Sequence, residues 1–337
     1  MSETSIEIRE LFKIFGPNPK TWVDAVKSGM TKAELGEKHG HILGLNNINI
    51  SMPAGKIQVI MGLSGSGKST LIRHINRLIE PTSGAIEIDG KNVLEMSEAD
   101  LRAFRRRGTA MVFQRFALLP HRTVLDNVTF GLEVRGIDAA KARETGMGWI
   151  ERVGLKGFET RYPNELSGGM QQRVGLARAL SNDTSILLMD EAYSALDPLI
   201  RTDMQTMLLE LQTELKKTIV FITHDLDEAL RLGDGIVILR DGSIVQQGNS
   251  QDILLSPADD YIERFVKDVN RGRYIKVDGV LDRNSAEPGN GPRLASGTTL
   301  EVAVKAMSDG GATEATVVAA DGKPLGKVTL AQVMAAL

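Results

Sequence analysis

"KIQVIMGLSGSGKSTLIRHI", Lys56–Ile75, sets an apolar run, a glycine-rich loop and a helix-period segment end to end. The apolar run lacks alternation, the pattern of a strand buried on both faces. Gly62 to Thr70, "GLSGSGKST", then fits G-x-x-x-x-G-K-[ST], and Leu71, Ile75, Leu78 and Ile79 mark one face of the helix that follows. Strand, loop and helix in that order are the context a phosphate-binding loop requires. Backbone N–H groups of Gly65, Ser66, Gly67 and Lys68 would wrap a β-phosphate at the helix N-terminus, with Gly62, Ser64 and Thr70 completing the loop. Lys68 would bridge the β- and γ-phosphates and Ser69 would ligate Mg²⁺. An ordinary glycine turn is the competing reading, and the flanking strand and helix weigh against it.

Further along, "SILLMD", "TIVFIT" and "GIVIL" read as buried strands separated by helical stretches. Strands alternating with helices imply an α/β fold whose mainly parallel sheet is covered on both faces. From Leu118 to Gly157 the pattern is helical with few strand signals, so a helical subdomain, about 116–178, is expected as an insertion into that fold. Before the loop, Ile6 to Ile14 reads as a strand, and "FGPNPK" breaks the chain. Residues 21–39 then look helical, with Trp22, Val26 and Met30 at i, i+4, i+8 and a T-x-x-E capping box at Thr31 and Glu34. This marks an insert over about 16–45. The main domain is expected over 1–270, followed by a polar linker over 271–296 that contains "RNSAEPGNGPRLASG". Residues 297–337 read as helix, strand, turn, strand, helix, a small α+β segment.

The 337 residues, 42% hydrophobic and 25% charged, have the make-up of a globular protein. A net charge of -3 gives no global field for nucleic acid, and the run Arg105, Arg106, Arg107 reads as a solvated helix end. With no cysteine, disulfide and thiolate chemistry are excluded. The charged start "MSETSIEIRE" and the lack of a long apolar run direct any membrane association through a partner.

Candidate chemistry gathers at strand ends. Asp190 and Glu191 close the strand "SILLMD", at the edge where open parallel sheets put their ligands. Asp190 would hold Mg²⁺, and Glu191, facing the other way along the backbone, would polarise an attacking water. Gln114 follows the strand in "AMVFQ" and His224 follows "TIVFIT". Taken alone, each is an ordinary polar strand end. Together with the other two motifs they would surround a γ-phosphate and its water.

The order "GLSGSGKST", Gln114, "LSGGMQQR", "LLMDEA", "SALD", His224 resembles the ATP-binding subunit of ABC transporters. A closer resemblance is to the ATPase of glycine betaine/proline betaine importers. It rests on the insert, "VIMGLSGSGKSTLIRHINRLIEPTSG", "MVFQRFALLPHRTVLDNV", "MDEAYSALDPLIR" and "FITHDLDEALRLGD", and covers about residues 5 to 270. Tyr193 stands where phenylalanine is expected. The resemblance implies a P-loop NTPase fold of the ABC type, with ATP and Mg²⁺ as cofactors. It makes Lys68 and Ser69 part of the Walker A loop, Asp190 the Walker B aspartate, Glu191 the catalytic base and His224 the switch histidine. Gln114 becomes the Q-loop residue that touches Mg²⁺ and reports to a membrane subunit, and Asp197 belongs to the D-loop. Phe15 is the candidate aromatic under adenine, with Phe12 as its competitor.

The same resemblance implies that Ser167, Gly168 and Gly169 of one copy reach the γ-phosphate held by a second copy. ATP is then sandwiched in a homodimer. Implied partners are integral-membrane permease subunits, received by a groove around residues 116–128, and a solute-binding protein indirectly. The implied location is the cytoplasmic face of the inner membrane, peripherally. Residues 297–337 resemble one cystathionine-β-synthase-type (CBS) motif, a kind that works in pairs, with a sensing role. Trimethylamine N-oxide, choline or carnitine are alternative solutes. A soluble ABC ATPase acting on DNA or ribosomes, and a nucleotide-sensing regulator, are readings of other classes; the single nucleotide domain speaks against the first and the small sensor segment against the second.

Overall fold

A computed structural model describes residues 5–114, 116–282 and 291–337. Contacts divide the chain into two compact units, Met1–Val245 and Gln246–Leu337.

A six-stranded sheet, in the first unit but for the last residues of its edge strand, runs in the order Ser243–Gly248, Gly235–Arg240, Ile57–Met61, Thr218–Thr223, Ile186–Asp190, Thr109–Phe113. The last five strands are mutually parallel. Residues 57–61, 186–190 and 218–223 are buried throughout, the pattern of strands packed on both faces, with Gln58, Asp190, Thr218 and Thr223 as their buried polar side chains. The register aligns one edge: Phe113 lies opposite Asp190, Asp190 opposite Ile222, and Met61 opposite Thr223. The residues that follow these strands, Gly62, Gln114, Glu191 and His224, therefore emerge side by side, as the parallel-sheet expectation requires.

A second sheet had no counterpart in the sequence reading. Ile42–Met52, Ile6–Phe15, Ser83–Ile88 and Lys91–Asn92 form it in that order, all antiparallel. Its inward residues Ile6, Ile8, Ile48, Ile50 and Ile86 share a core with Leu71, Ile72 and Ile75 of the helix Lys68–Ile75 and with the central strands. Alternation is present in both long strands, but only long-range pairing decides which sheet they enter.

The insert is helical as expected, though interrupted. A 3₁₀ turn at Pro19–Trp22 leads into Val23–Lys27, Gly29 adopts φ 106°, and a second helix spans Lys32–His39. The capping box at Thr31 and Glu34 is formed, and it starts the second helix rather than lying within one continuous helix. Val23, Val26 and Leu35 bury against Phe12, Ile14 and Leu43.

The expected helical subdomain consists of Val124–Val134, Ala139–Arg152 and Gly168–Ser181. They enclose their own core of Val124, Val128, Ile150, Val153, Val174 and Ala177. A capping box at Thr123 and Asp126 fixes the start of the first helix, and Ser167 caps the third.

The second unit begins at Gln246, ahead of the expected boundary at 270. In its helices Ser250–Leu255 and Asp260–Val266, Ile253, Leu254, Ile262 and Val266 are fully or almost fully buried. Its sheet runs Arg293–Ala295, Glu314–Val318, Pro324–Thr329, and the helices Leu300–Asp309 and Leu330–Ala336 complete the expected helix, strand, turn, strand, helix order. Residues 271–282 are folded: Ile275 and Val277 are buried, and their backbone groups bond to Leu300 and Thr298. The linker residues 283–290 lie outside the described residues.

Candidate nucleotide site

The glycine loop is shaped by its surroundings. Gly62, Gly65 and Gly67 have φ of 149°, 78° and 102°, a region that disfavours side chains. A Cβ on Gly62 would stand 2.2 Å from the Leu239 carbonyl oxygen, and one on Gly67 would stand 2.7 Å from that of Gly44. The loop therefore needs glycine for close approach as well as for its turn. Gly67 begins the helix Lys68–Ile75, so the first free N–H groups of that helix face the loop.

Lys68 is buried, and its ammonium donates to the carbonyls of Gly62 (2.8 Å) and Leu63 (3.1 Å). It also stands 3.6 Å from Glu191 Oε1. Ser69 Oγ donates to Asp190 Oδ1 at 2.8 Å, joining the helix to the neighbouring strand end. Two side chains that were independent candidates in the sequence thus share one point in space. Gln114 Nε2 donates to Glu191 Oε2 (3.2 Å) and Ser194 Oγ (3.3 Å), and His224 Nδ1 stands 3.5 Å from Glu191 Oε2. Glu191 itself adopts φ 47°, a conformation that costs a non-glycine residue about 1–3 kcal/mol and is concentrated at functional sites. Lys68, Gln114 and His224 therefore converge on one carboxylate.

Oxygen donors from Ser69, Asp190 and Gln114 suit a hard cation such as Mg²⁺, which is bound through few protein oxygens plus phosphate. Among the described residues no three His, Asp or Glu side chains form a cage of their own.

The two candidate aromatics separate cleanly. Phe12 is 2% exposed within the core under the insert, whereas Phe15 is 39% exposed. Phe15 packs against Gly44, where a Cβ would come within 2.7 Å of its ring, and carries the Lys13 ammonium 4.8 Å from its centroid. Gly44 in turn abuts Gly67, so the exposed ring lies one residue from the loop.

Ser167 and Gly168 are exposed at the start of the helix Gly168–Ser181, and Ser167 Oγ accepts from Met170 N at 3.4 Å. Gly169 packs on Ile200, where a Cβ would stand 2.7 Å from Cγ2. Asp197 caps the helix Pro198–Leu215 by accepting from Ile200 N. Among the described residues none of this group's hydrogen bonds reaches Lys68.

Three contributors escaped the sequence reading. Arg73 donates to Asp190 Oδ2 at 3.2 Å, and its position four residues after Ser69 on one helix face was the available signal. Ser194 was quoted within "SALD" and not weighed singly. Arg201 bonds Asp225, next to His224, at 2.9 Å and the Leu196 carbonyl at 3.2 Å, linking the two loops.

A glycine loop with a buried lysine, a strand-end Asp-Glu pair and an inserted helical subdomain define a P-loop NTPase. The chain matches the ABC transporter family over residues 45–194. It is 52% identical to the glycine betaine transport ATP-binding protein of Bacillus subtilis over 86% of this chain and 70% of that one. It is 50% identical to the glycine betaine/proline betaine transport ATP-binding protein of Escherichia coli over 86% of this chain and 74% of that one. A dimeric ATP-binding cassette solved in a post-hydrolysis state with ADP and Pi is similar with a TM-score of 0.62 and 31% identity, covering 73% of this chain and 98% of that one. The chain belongs to the ATP-binding subunits of ABC transporters. Among the described residues no helix is long and apolar enough to cross a membrane.

Proposed function

We propose that this ATPase subunit energises the import of glycine betaine or a chemically close methylated amine, and that it works as a pair of copies with two ATP molecules between them. The observation that carries the ATPase reading is the convergence of Lys68, Gln114 and His224 on Glu191, beside the Ser69–Asp190 contact. The solute class rests on the names of the relatives.

Lys68 and the loop N–H groups bind the β- and γ-phosphates. Bound at Ser69, Asp190 and Gln114, Mg²⁺ would supply charge neutralisation between the two phosphates. Glu191 accepts the proton of the attacking water, and Gln114 and His224 orient that water through their contacts with the same carboxylate. A general base of this kind supplies about 3 to 5 kcal/mol of barrier lowering. The phosphate loop embraces one side of the γ-phosphate, while charge develops on both. Ser167, Gly168 and Gly169 of a second copy complete the other side; the exposure of Ser167 and Gly168 in one copy fits that role. Phe15 supplies the stacking face for adenine.

The subunit would sit at the cytoplasmic face of the membrane by docking on permease subunits. A groove of about 740 Å³, lined by Pro120, His121, Tyr162 and Glu165 among others, opens close to the Gln114 loop in sequence and offers a seat for them. Co-expression with the permease and solute-binding protein tests the function. ATP hydrolysis in reconstituted vesicles is expected to rise with glycine betaine, with trimethylamine N-oxide as the comparison solute. Failure to copurify with any polytopic membrane protein, together with indifference to both solutes, contradicts the reading.

A further inference from the structure

The ring of His41 is buried and has a carbonyl at each nitrogen: Nδ1 stands 2.7 Å from the His39 oxygen and Nε2 stands 2.7 Å from the Pro17 oxygen. Carbonyl oxygens only accept, so a ring with N–H at both nitrogens bonds both carbonyls and a neutral ring bonds one. Pro17 lies at the start of the insert, and His39 ends its second helix, where the last carbonyls lack intrahelical partners. One side chain thus ties the entry of the insert to its exit. Trp22 walls the junction, its ring centroid 3.8 Å from that of His39 and 5.6 Å from that of His41. Gly16 makes room for this arrangement, since a Cβ there would overlap the His41 ring. The junction borders the candidate adenine platform: Phe15 and Ile42 are direct partners on the last rung between Ile6–Phe15 and Ile42–Met52. Gly16 and His41 are the next residues outward, so the clasp closes the end of a ladder that is otherwise free to fray. Phe15 is exposed at that end, and its stance depends on the backbone beneath it.

We propose that His41 is a positioning residue for nucleotide binding, a clasp between the Pro17 and His39 carbonyls that holds the Phe15–Ile42 end of the sheet and so sets the Phe15 ring for adenine. The proposal rests on the reading that Phe15 stacks on adenine. A side chain that acts only through Phe15 affects the base and leaves the phosphates alone. His41→Phe keeps a ring against Trp22 and removes both N–H groups, which separates the clasp from the packing.

The test is calorimetric titration of the full chain with Mg-ADP and with pyrophosphate, which has phosphates for the glycine loop and no base. His41→Phe is expected to weaken ADP about three- to fivefold and to leave pyrophosphate within about twofold. In a Phe15→Ala background the ring it positions is gone, and the same substitution is expected to change ADP affinity by less than about twofold. A residue that merely supports the fold would move both ligands or neither. The proposal is overturned by unchanged ADP affinity in His41→Phe, by an equal loss for pyrophosphate, or by the full loss persisting without Phe15. Should His41→Phe fold poorly, His41→Asn decides: its short amide cannot span both carbonyls, so it is expected to give the same split between the two ligands, and equal effects on both reject the clasp. Phe15→Ala alone with unchanged ADP affinity would instead refute the adenine reading. Hydrogen exchange over residues 12–16 and 41–45 then judges the clasp by itself: faster exchange in His41→Phe supports it, and unchanged exchange rejects it.

Discussion

The ammonium of Lys68 stands 3.6 Å from Glu191 Oε1, with 4% and 18% of the two side chains exposed. The cation that would hold the γ-phosphate and the carboxylate that would activate water are therefore direct neighbours. Removing the cation should act on binding: Lys68→Ala is expected to weaken ATP at least tenfold, about 1.4 kcal/mol, in a fluorescence titration with a labelled nucleotide. Unchanged affinity would place the phosphates elsewhere.

Phe12 and Phe15 make opposite predictions. Phe12→Ala empties a core position and should destabilise the chain by about 3–5 kcal/mol in denaturant unfolding, with little direct effect on nucleotide. Phe15→Ala should leave unfolding within about 1 kcal/mol and weaken ATP about fivefold by calorimetric titration, as expected for loss of a stacking face.

His74 gives the fold a pH dependence. It lies fully buried on the helix that follows the phosphate loop; Nδ1 donates to the Thr70 carbonyl at 2.5 Å, and among the described residues Nε2 has no partner. Burial pushes its pKa down to about 4, with the nearby Lys13 charge adding to the shift. Below the ordinary value of about 6.5 the unfolded chain takes up a proton that the folded chain refuses. Its contribution is fully present above that value and is lost as pH falls toward 4. Between pH 7.5 and pH 5 the native chain should lose about 2 kcal/mol more than His74→Gln, read from denaturant midpoints. Parallel pH profiles would contradict the assignment.

The sequence reading and the structure agree wherever chemistry and local pattern coincide. The phosphate loop, the Asp190–Glu191 pair and the placement of Gln114 and His224 at strand ends were all legible, because each lies within a few residues of its strand. Longer-range relations were not. Strands Ile6–Phe15 and Ile42–Met52 carry no mark that assigns them to a separate antiparallel sheet, since sheet membership depends on pairing partners far apart in the chain. Arg201 was invisible for a related reason: its partner Asp225 is brought near only by folding. Ile275 and Val277 lie in a stretch whose glycine- and proline-rich sequel reads as linker, and their burial reflects tertiary packing that composition does not record.

Tyr193, where the resemblance leads one to expect phenylalanine, is fully buried against Phe221 at 5.5 Å between ring centroids, and among the described residues its hydroxyl has no hydrogen-bond partner. An unpaired buried hydroxyl costs about 1–3 kcal/mol. Tyr193→Phe should therefore stabilise the chain by about 1 kcal/mol while leaving ATP turnover unchanged; thermal unfolding alongside an ATPase assay reads both.

The most direct test of the central claim is the molar mass of Glu191→Gln in saturating ATP and Mg²⁺, measured by light scattering after size separation. The account predicts a species of twice the chain mass that retains ATP and has no measurable turnover, because the γ-phosphate contacts from both copies remain and only the base is lost. A strictly monomeric chain, or one that still hydrolyses ATP, would contradict it.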